Sequence, residues 1–490
     1  MTERLTSAED LPNTVAAPGY TRAAHGPGIV HIGIGAFHKA HQAVYTDDAL
    51  AAQGGDWRII GVSLRSATPS RQLTPQTGLY TTIERSAKGT KARVVGSLAA
   101  ALNLGEDRVA VLEALCARET RIVSLTVTEK GYGIDRKTGG VDLSHPAIAA
   151  DLAAPDNPQG VAGLLVWALA RRRATGVPPF TVLCCDNLPE NGPMLRGLLI
   201  DFARRAMPEM ADHIASEVAF PATMVDRITP ATSAATLALA KELTGHVDEA
   251  VIECEAFRQW VIEDSFPTGR PAWEAGGAVF VDNVRPFEEM KLRMLNGTHS
   301  MLAYAGFLSG HRYVRDVMAD PLLATLVRRH LKAAAATLHG LESVDLGSYA
   351  EDLAHRFTNP HLAHETYQIA MDGSEKMPQR IFTPALDAHA HGSPLAPFAF
   401  ATAAWLRYTI GRHDDGTPYA LRDPLEARLR PDPAHQLSAR AIIDQLHSID
   451  GLVPYALQDA LEWSDAVERD LARMLNEGMV AAVRHAAEAT

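Results

Sequence analysis

Over residues 28–280, short β-rich runs alternate with helical stretches, and that alternation restricts this part of the chain to a parallel sheet with crossover helices. GIVHIG (28–33), WRIIGVSL (57–64), RIVSLTV (121–127) and FTVLCC (180–185) read as strands. Helices are predicted over 107–118 and 160–173. The segment GLYTTIERSAKGTKARVVGSL reads as an inserted antiparallel hairpin turning near Gly89, so a mixed, mainly parallel sheet is expected. After Val284-Arg285-Pro286 the strand-like alternation nearly vanishes, and helices are predicted over 287–308, 321–338, 348–356, 397–410 and 463–485. The fold class is α/β followed by a mainly helical region, with a boundary near residue 284.

Composition excludes several kinds of partner. A net charge of −12 argues against nucleic acid and anionic membranes, which require clustered positive surface. The one basic run, Arg171-Arg172-Arg173, reads as the C-terminus of a helix, where cations complement the dipole. The cysteines Cys116, Cys184, Cys185 and Cys254 show no C-x-x-C spacing and read as reduced core thiols. The first residues lack an apolar signal region and no run of eighteen apolar residues occurs, so no membrane span and a cytoplasmic location are expected.

GIVHIGIGAFHKAHQ places Gly33 and Gly35 directly after a strand and before a helix-compatible segment, the context of a phosphate-binding turn. The first glycine permits the tight turn, the second lets backbone approach a pyrophosphate, and free N–H groups at a helix N-terminus suit the anion. A plain structural turn accounts for the same glycines equally well, because His38 stands where a third glycine usually does. The acidic residue that ordinarily ends the second strand and holds the ribose of NAD is missing. The strand ends Leu64-Arg65-Ser66-Ala67-Thr68, and Arg65 between hydroxyls suits a 2′-phosphate, so the residues alone leave NADP open.

In FEEMKLRMLNGTH, an α-helix would carry Lys291, Asn296 and His299 within an arc of about 140°. Oxidising an alcohol requires a base for its hydroxyl proton, which a desolvated lysine provides, and amide donors for the developing oxyanion. A solvated polar face has the same composition, but Met290, Leu292, Met294, Leu295, Met301 and Leu302 leave little of the helix for solvent. A second candidate is CDNLPENG, where a strand runs into a turn at Asn187; Glu129 follows another strand in the same way. Either could be an ordinary turn residue. Twenty histidines, among them His38 with His41 and His361 with His364, bring no zinc-type Cys/His cluster, and no metal is expected. Neither a Tyr-x3-Lys pair nor a Gly-His-Glu zinc signature is present.

In order along the chain, G-I-G-A-F-H-K-A-H-Q, T-E-K-G-Y, C-D-N-L-P-x-N-G, M-V-D-R-I-T-P, Q-W-V-I-E-D and K-x4-N-G-x-H resemble the polyol-specific long-chain dehydrogenases. That family includes mannitol 2-dehydrogenase and fructuronate reductase. The resemblance runs from about Gly28 to about Leu425. It implies an N-terminal Rossmann-type NAD-binding domain (1–284), a mainly α-helical substrate domain (285–490), a cleft between them and no metal. It further implies Lys291 as general acid/base, Asn187 and Asn296 as the oxyanion site, His299 as the orienting group and Glu288 as a proton conduit. Asp226 and Lys376 would be substrate contacts. Gly33, Gly35 and Phe37 would hold the pyrophosphate region, with Glu129 near the nicotinamide. NAD is the cofactor the family favours, and a monomer or small homo-oligomer acting on a sugar acid or polyol is expected.

Within the family, HETYQIAMDGSEKMPQR (364–380) resembles the fructuronate reductase version, with Gln368 where mannitol dehydrogenases usually carry arginine. Lys130 after Glu129 points the same way. Glu365 departs from it, since a carboxylate facing a carboxylated substrate is unfavourable. Two rivals stand beside this reading: mannitol 2-dehydrogenase, and a nucleotide-sensing module without catalysis.

Overall fold

The computed structural model describes residues 3–135, 137–342, 344–361, 363–431 and 437–489. The chain divides into two compact units, Met1–Arg285 and Pro286–Thr490.

Five strands of the N-terminal unit form one sheet: β1 (Pro27–Ile32), β2 (Arg58–Ser63), β3 (Leu98–Asn103), β4 (Ile122–Leu125) and β5 (Thr181–Cys184). Their spatial order is β3-β2-β1-β4-β5 and every pair is parallel. This is the dinucleotide-binding order, with its switch point between β1 and β4. Ile29, Val30, Ile32, Ile122, Val123 and Leu125 are all fully buried, as a sheet covered on both faces requires. β3 escapes the sequence reading because LAAALN holds no β-branched residue; pairing with β2, not propensity, makes it a strand.

The expected hairpin exists, with Tyr80–Ser86 antiparallel to Gly89–Val95. It does not enter the five-stranded sheet. Instead it joins Val15–Ala16 and Ile252–Glu255 in a separate four-stranded sheet, packing Val94 with Leu5, Val15 and Leu79, and Ile83 with Ala240 and Val251. A third sheet pairs Gln259–Glu263 with Thr223–Asp226 and Val279–Val281. The mixed character expected of one sheet therefore resides in two smaller ones. The basic run Arg171-Arg172-Arg173 ends the helix Val161–Ala174, as expected, and within it Arg172 is buried, its guanidinium donating to the carbonyls of Leu115, Ala117 and Thr120 at the end of the helix Arg108–Cys116. The four cysteines are unbridged, with Cys184, Cys185 and Cys254 buried and Cys116 half-buried.

Among its described residues the C-terminal unit holds helices and no strand. A continuous helical run covers Arg285–Met290, Lys291–Gly297 and Thr298–Leu308, the middle part π-helical. Thr298–Leu308 packs against Pro321–Ala335, Thr366–Ala370 and Ala396–Thr409. The last predicted helix is two, Leu461–Glu477 and Met479–Glu488, broken where Gly478 takes φ +85°. No helix among the described residues is long and apolar enough to cross a membrane.

Candidate active site

The carboxyl edge of the parallel sheet collects the N-terminal candidates. Gly33 follows β1 with φ +107°, and a Cβ there would lie 2.1 Å from the Thr126 carbonyl oxygen beyond β4, so only glycine fits. Gly35 is different: a Cβ would meet nothing nearer than the Gly33 oxygen at 3.8 Å, which leaves its backbone approachable. The helix expected next is short, Ala36–Ala40, and breaks at His41 before resuming as Gln42–Gln53. His38, at the position of the missing third glycine, is fully buried and stacks on His31 at 3.4 Å. His31 in turn lies 2.8 Å from Ser124 Oγ, 2.8 Å from Thr126 Oγ1 and 3.2 Å from the Gly33 carbonyl. Burial lowers its pKa to about 3, so it is a neutral strut under the turn. Phe37 is half-buried and stacks on His41 at 4.9 Å, while His41 Nε2 meets the Gln259 carbonyl at 2.9 Å. No group of three or more potential metal ligands occurs among the described residues.

Arg65 is exposed just past β2. Glu129, also exposed, opens a turn after β4, and Asn187 is exposed after β5. The residue that ties these two turns together is Asp186, which sequence reasoning passed over. Its carboxylate accepts from the backbone N–H of Val127 (2.9 Å) and Thr128 (3.3 Å) and from the Tyr132 hydroxyl (2.6 Å). Thr128 adopts φ +69°, strained for a β-branched residue and held there by that pairing. Buried Asn191 fixes the other side, donating to the Thr223 carbonyl and accepting from its N–H, both at 2.9 Å. Asp226 is buried at the end of Thr223–Asp226, in the three-stranded sheet.

In the C-terminal unit Lys291 and His299 are each only 8 % exposed, Asn296 and Glu288 half-buried. The ideal α-helical arc does not apply, because residues 291–297 are π-helical. Bonding from i to i+5 brings Lys291 and Asn296, five apart, one turn from each other on the same face. His299 packs on Phe357 at 4.6 Å and edge-on to His364 at 5.3 Å. Burial, with the nearby charges of His364, Arg356 and Arg380, holds its pKa well below the usual range, so the ring is neutral. Arg356 is 8 % exposed, and Arg380 donates to the Asn296 carbonyl (3.3 Å) and Ser300 Oγ (3.2 Å). Neither cation was singled out from sequence; the proline pair at 378 and 384 around Arg380 was the available signal.

Gln368 is exposed on Thr366–Ala370. Lys376 donates to the carbonyls of Ile369 (3.2 Å) and Met371 (2.5 Å) and lies 3.9 Å from the Asp372 carboxylate, so its ammonium caps the short preceding helix. Burial, then the Arg380 charge, lowers its pKa. Glu365 pairs with Arg312.

Two family models cover most of the chain, the mannitol dehydrogenase Rossmann domain over residues 27–275 and the mannitol dehydrogenase C-terminal domain over 283–474. The chain belongs to the mannitol dehydrogenase family. It is thus an oxidoreductase. An uncharacterized oxidoreductase of Escherichia coli, YeiQ, is 45% identical over 86% of this chain and 86% of its own. D-mannonate oxidoreductase of the same organism is 40% identical, covering 94% of this chain and 96% of its own. A mannitol 2-dehydrogenase of Pseudomonas fluorescens, solved as a ternary complex with NAD and D-mannitol, is 37% identical with a TM-score of 0.81, covering 99% of both chains.

Proposed function

We propose that this family member catalyses the reversible, NAD(H)-linked interconversion of D-fructuronate and D-mannonate at C5. The observation that carries the sugar-acid reading is the positive charge beside His299: Arg356, only 8 % exposed, directly precedes Phe357, on which the ring packs at 4.6 Å. A substrate carboxylate gains from such a partly desolvated cation, whereas a neutral hexitol gains little. Glu365, the residue at odds with this reading, is engaged by Arg312. Gln368 and Lys130 support the same choice.

The turn at Gly33 and Gly35 fits a dinucleotide, since one glycine is required by its φ and the other leaves backbone open to a phosphate. Phe37 and Glu129 would flank it, with Arg65 on the adenosine side; the NAD-bound relative supports NAD over NADP. When bound, the dinucleotide supplies the hydride acceptor. Lys291 in its neutral form takes the C5 hydroxyl proton, and the amide N–H groups of Asn296 and Asn187 donate to the oxygen as charge develops. Neutral His299 orients the substrate, Asp226, Gln368 and Lys376 contribute contacts, and Glu288 passes the proton from Lys291 to water.

Steady-state assays with fructuronate/mannonate and fructose/mannitol under both cofactors test the reading. Faster turnover of fructose than of fructuronate overturns the substrate choice. Lys291→Ala is expected to lower kcat by about 10²- to 10⁴-fold while NADH fluorescence still reports binding. A nucleotide-sensing module would show no wild-type turnover to lose.

A further inference from the structure

Two π-helical segments pack together in the C-terminal unit, Lys291–Gly297 and Pro378–Phe382. The second has a cause in the sequence. In an α-helix the amide of residue 384 would bond the Arg380 carbonyl, but Pro384 has no N–H and its ring would strike that carbonyl. The helix widens instead, and the Thr383 N–H bonds Pro378 O, five residues back. The Arg380 carbonyl sits over Gly297, where a Cβ would come within 2.8 Å of it. The Arg380 side chain returns to the same turn, its Nη1 donating to the Asn296 carbonyl and Ser300 Oγ. Backbone and side chain of one residue thus grip the first π segment from two directions.

We infer that Arg380 is a positioning residue, fixing the π register that stands Asn296 one turn from Lys291 on a common face. In an α register residues five apart diverge by about 140°, which would turn the amide of Asn296 away from the amine of Lys291. The inference rests on the proposed roles of those two residues. It differs from a substrate-contact role, because the guanidinium acts through backbone that carries Asn296.

Kinetics and crystal structures of Arg380→Met, Arg380→Lys and Gly297→Ala test it. Arg380→Met is expected to lower kcat and kcat/KM together by about 10- to 100-fold, for uronate and ketose alike, with NADH KM changed less than about twofold. Its crystal structure is expected to show residues 291–297 moved toward α register. Arg380→Lys, which keeps a donor for the Asn296 carbonyl, is expected to recover most of the lost kcat. Gly297→Ala disturbs the same contact without removing a hydrogen-bonding group, so it decides the matter if Arg380→Met does not fold; a fall in kcat of similar size supports the inference. Wild-type kcat with the π register intact in either variant overturns it. So does a rise in KM for the uronate alone with kcat unchanged, which would make Arg380 a substrate contact. If the wild-type enzyme turns over neither proposed substrate pair, the register seen in the Arg380→Met crystal still decides this inference separately.

Discussion

Glu365 accepts two hydrogen bonds from the guanidinium of Arg312, 3.1 Å from Nε and 2.7 Å from Nη2, while its neighbour His364 meets the ring of His299. Extended backbone at Glu365 turns the two side chains to different surroundings. Arg312 is 70% exposed, so solvent screens the ion pair and it holds Glu365 only weakly. Glu365→Gln is therefore expected to change kcat/KM for fructuronate less than about threefold. A tenfold improvement on removing the charge would show that the carboxylate reaches the substrate.

Gly33 and Gly35 differ in what a side chain would meet. Gly33→Ala places a methyl against the Thr126 carbonyl at φ +107° and should cost at least about 1–3 kcal/mol of stability, read as a lowered Tm. Gly35→Ala meets open space, so Tm should hold while NADH KM rises. Equal effects of the two substitutions on Tm would remove the distinction.

Asp186 joins the turns that carry Glu129 and Asn187, so its loss should be felt in both. Asp186→Ala strands two backbone N–H groups and one hydroxyl and should cost about 2–4 kcal/mol, with a raised NADH KM and a lowered kcat. Tyr132→Phe removes one of the three bonds and should cost about 1 kcal/mol. Denaturation of both variants against wild type measures the difference, and a Tyr132→Phe effect as large as that of Asp186→Ala would contradict this division.

Buried His330 gives the C-terminal unit an acid-sensitive component. Its folded pKa is lowered to about 4 from 6.5 by burial, so the fold favours the neutral ring. Above pH 6.5 the full contribution is present; as pH falls the unfolded chain takes up the proton first and stability is lost, by about 2 kcal/mol at pH 5. His330→Gln should lose correspondingly less between pH 7 and pH 5, whatever its stability at pH 7. Calorimetric midpoints at the two pH values check this, and an identical pH dependence of the two proteins would rule it out.

Four strands of the central sheet were legible because β-branched runs buried on both faces announce themselves, as in RIVSLTV and FTVLCC. LAAALN was not, since alanine and leucine carry no strand signal and the pairing partner β2 lies 35 residues or more upstream. The polar residues at 291, 296 and 299 could be read, but their alignment could not. Periodicity at 3.6 residues per turn does not reveal a π segment whose register depends on contacts with residues 378–382. Asp186 stands beside Asn187 in CDNLPENG with nothing local to mark it, because the carboxylate's partners, Val127, Thr128 and Tyr132, lie more than 50 residues away.

The order β3-β2-β1-β4-β5 also governs when the turn at Gly33 becomes usable during synthesis. β1 lies in the middle of the sheet, and the backbone that closes on Gly33 is that of Thr126, just beyond β4. A nascent chain that has not yet exposed Ile122 carries both glycines with the β2 flank of β1 paired, the Gly33 N–H on the Val62 carbonyl, and the β4 flank open. Non-local parallel pairing of this kind forms slowly and only once both partners have emerged. A dinucleotide site at this turn, as proposed, is therefore complete only once β4 has emerged, and a ribosome stalled before β4 displays the motif without that site.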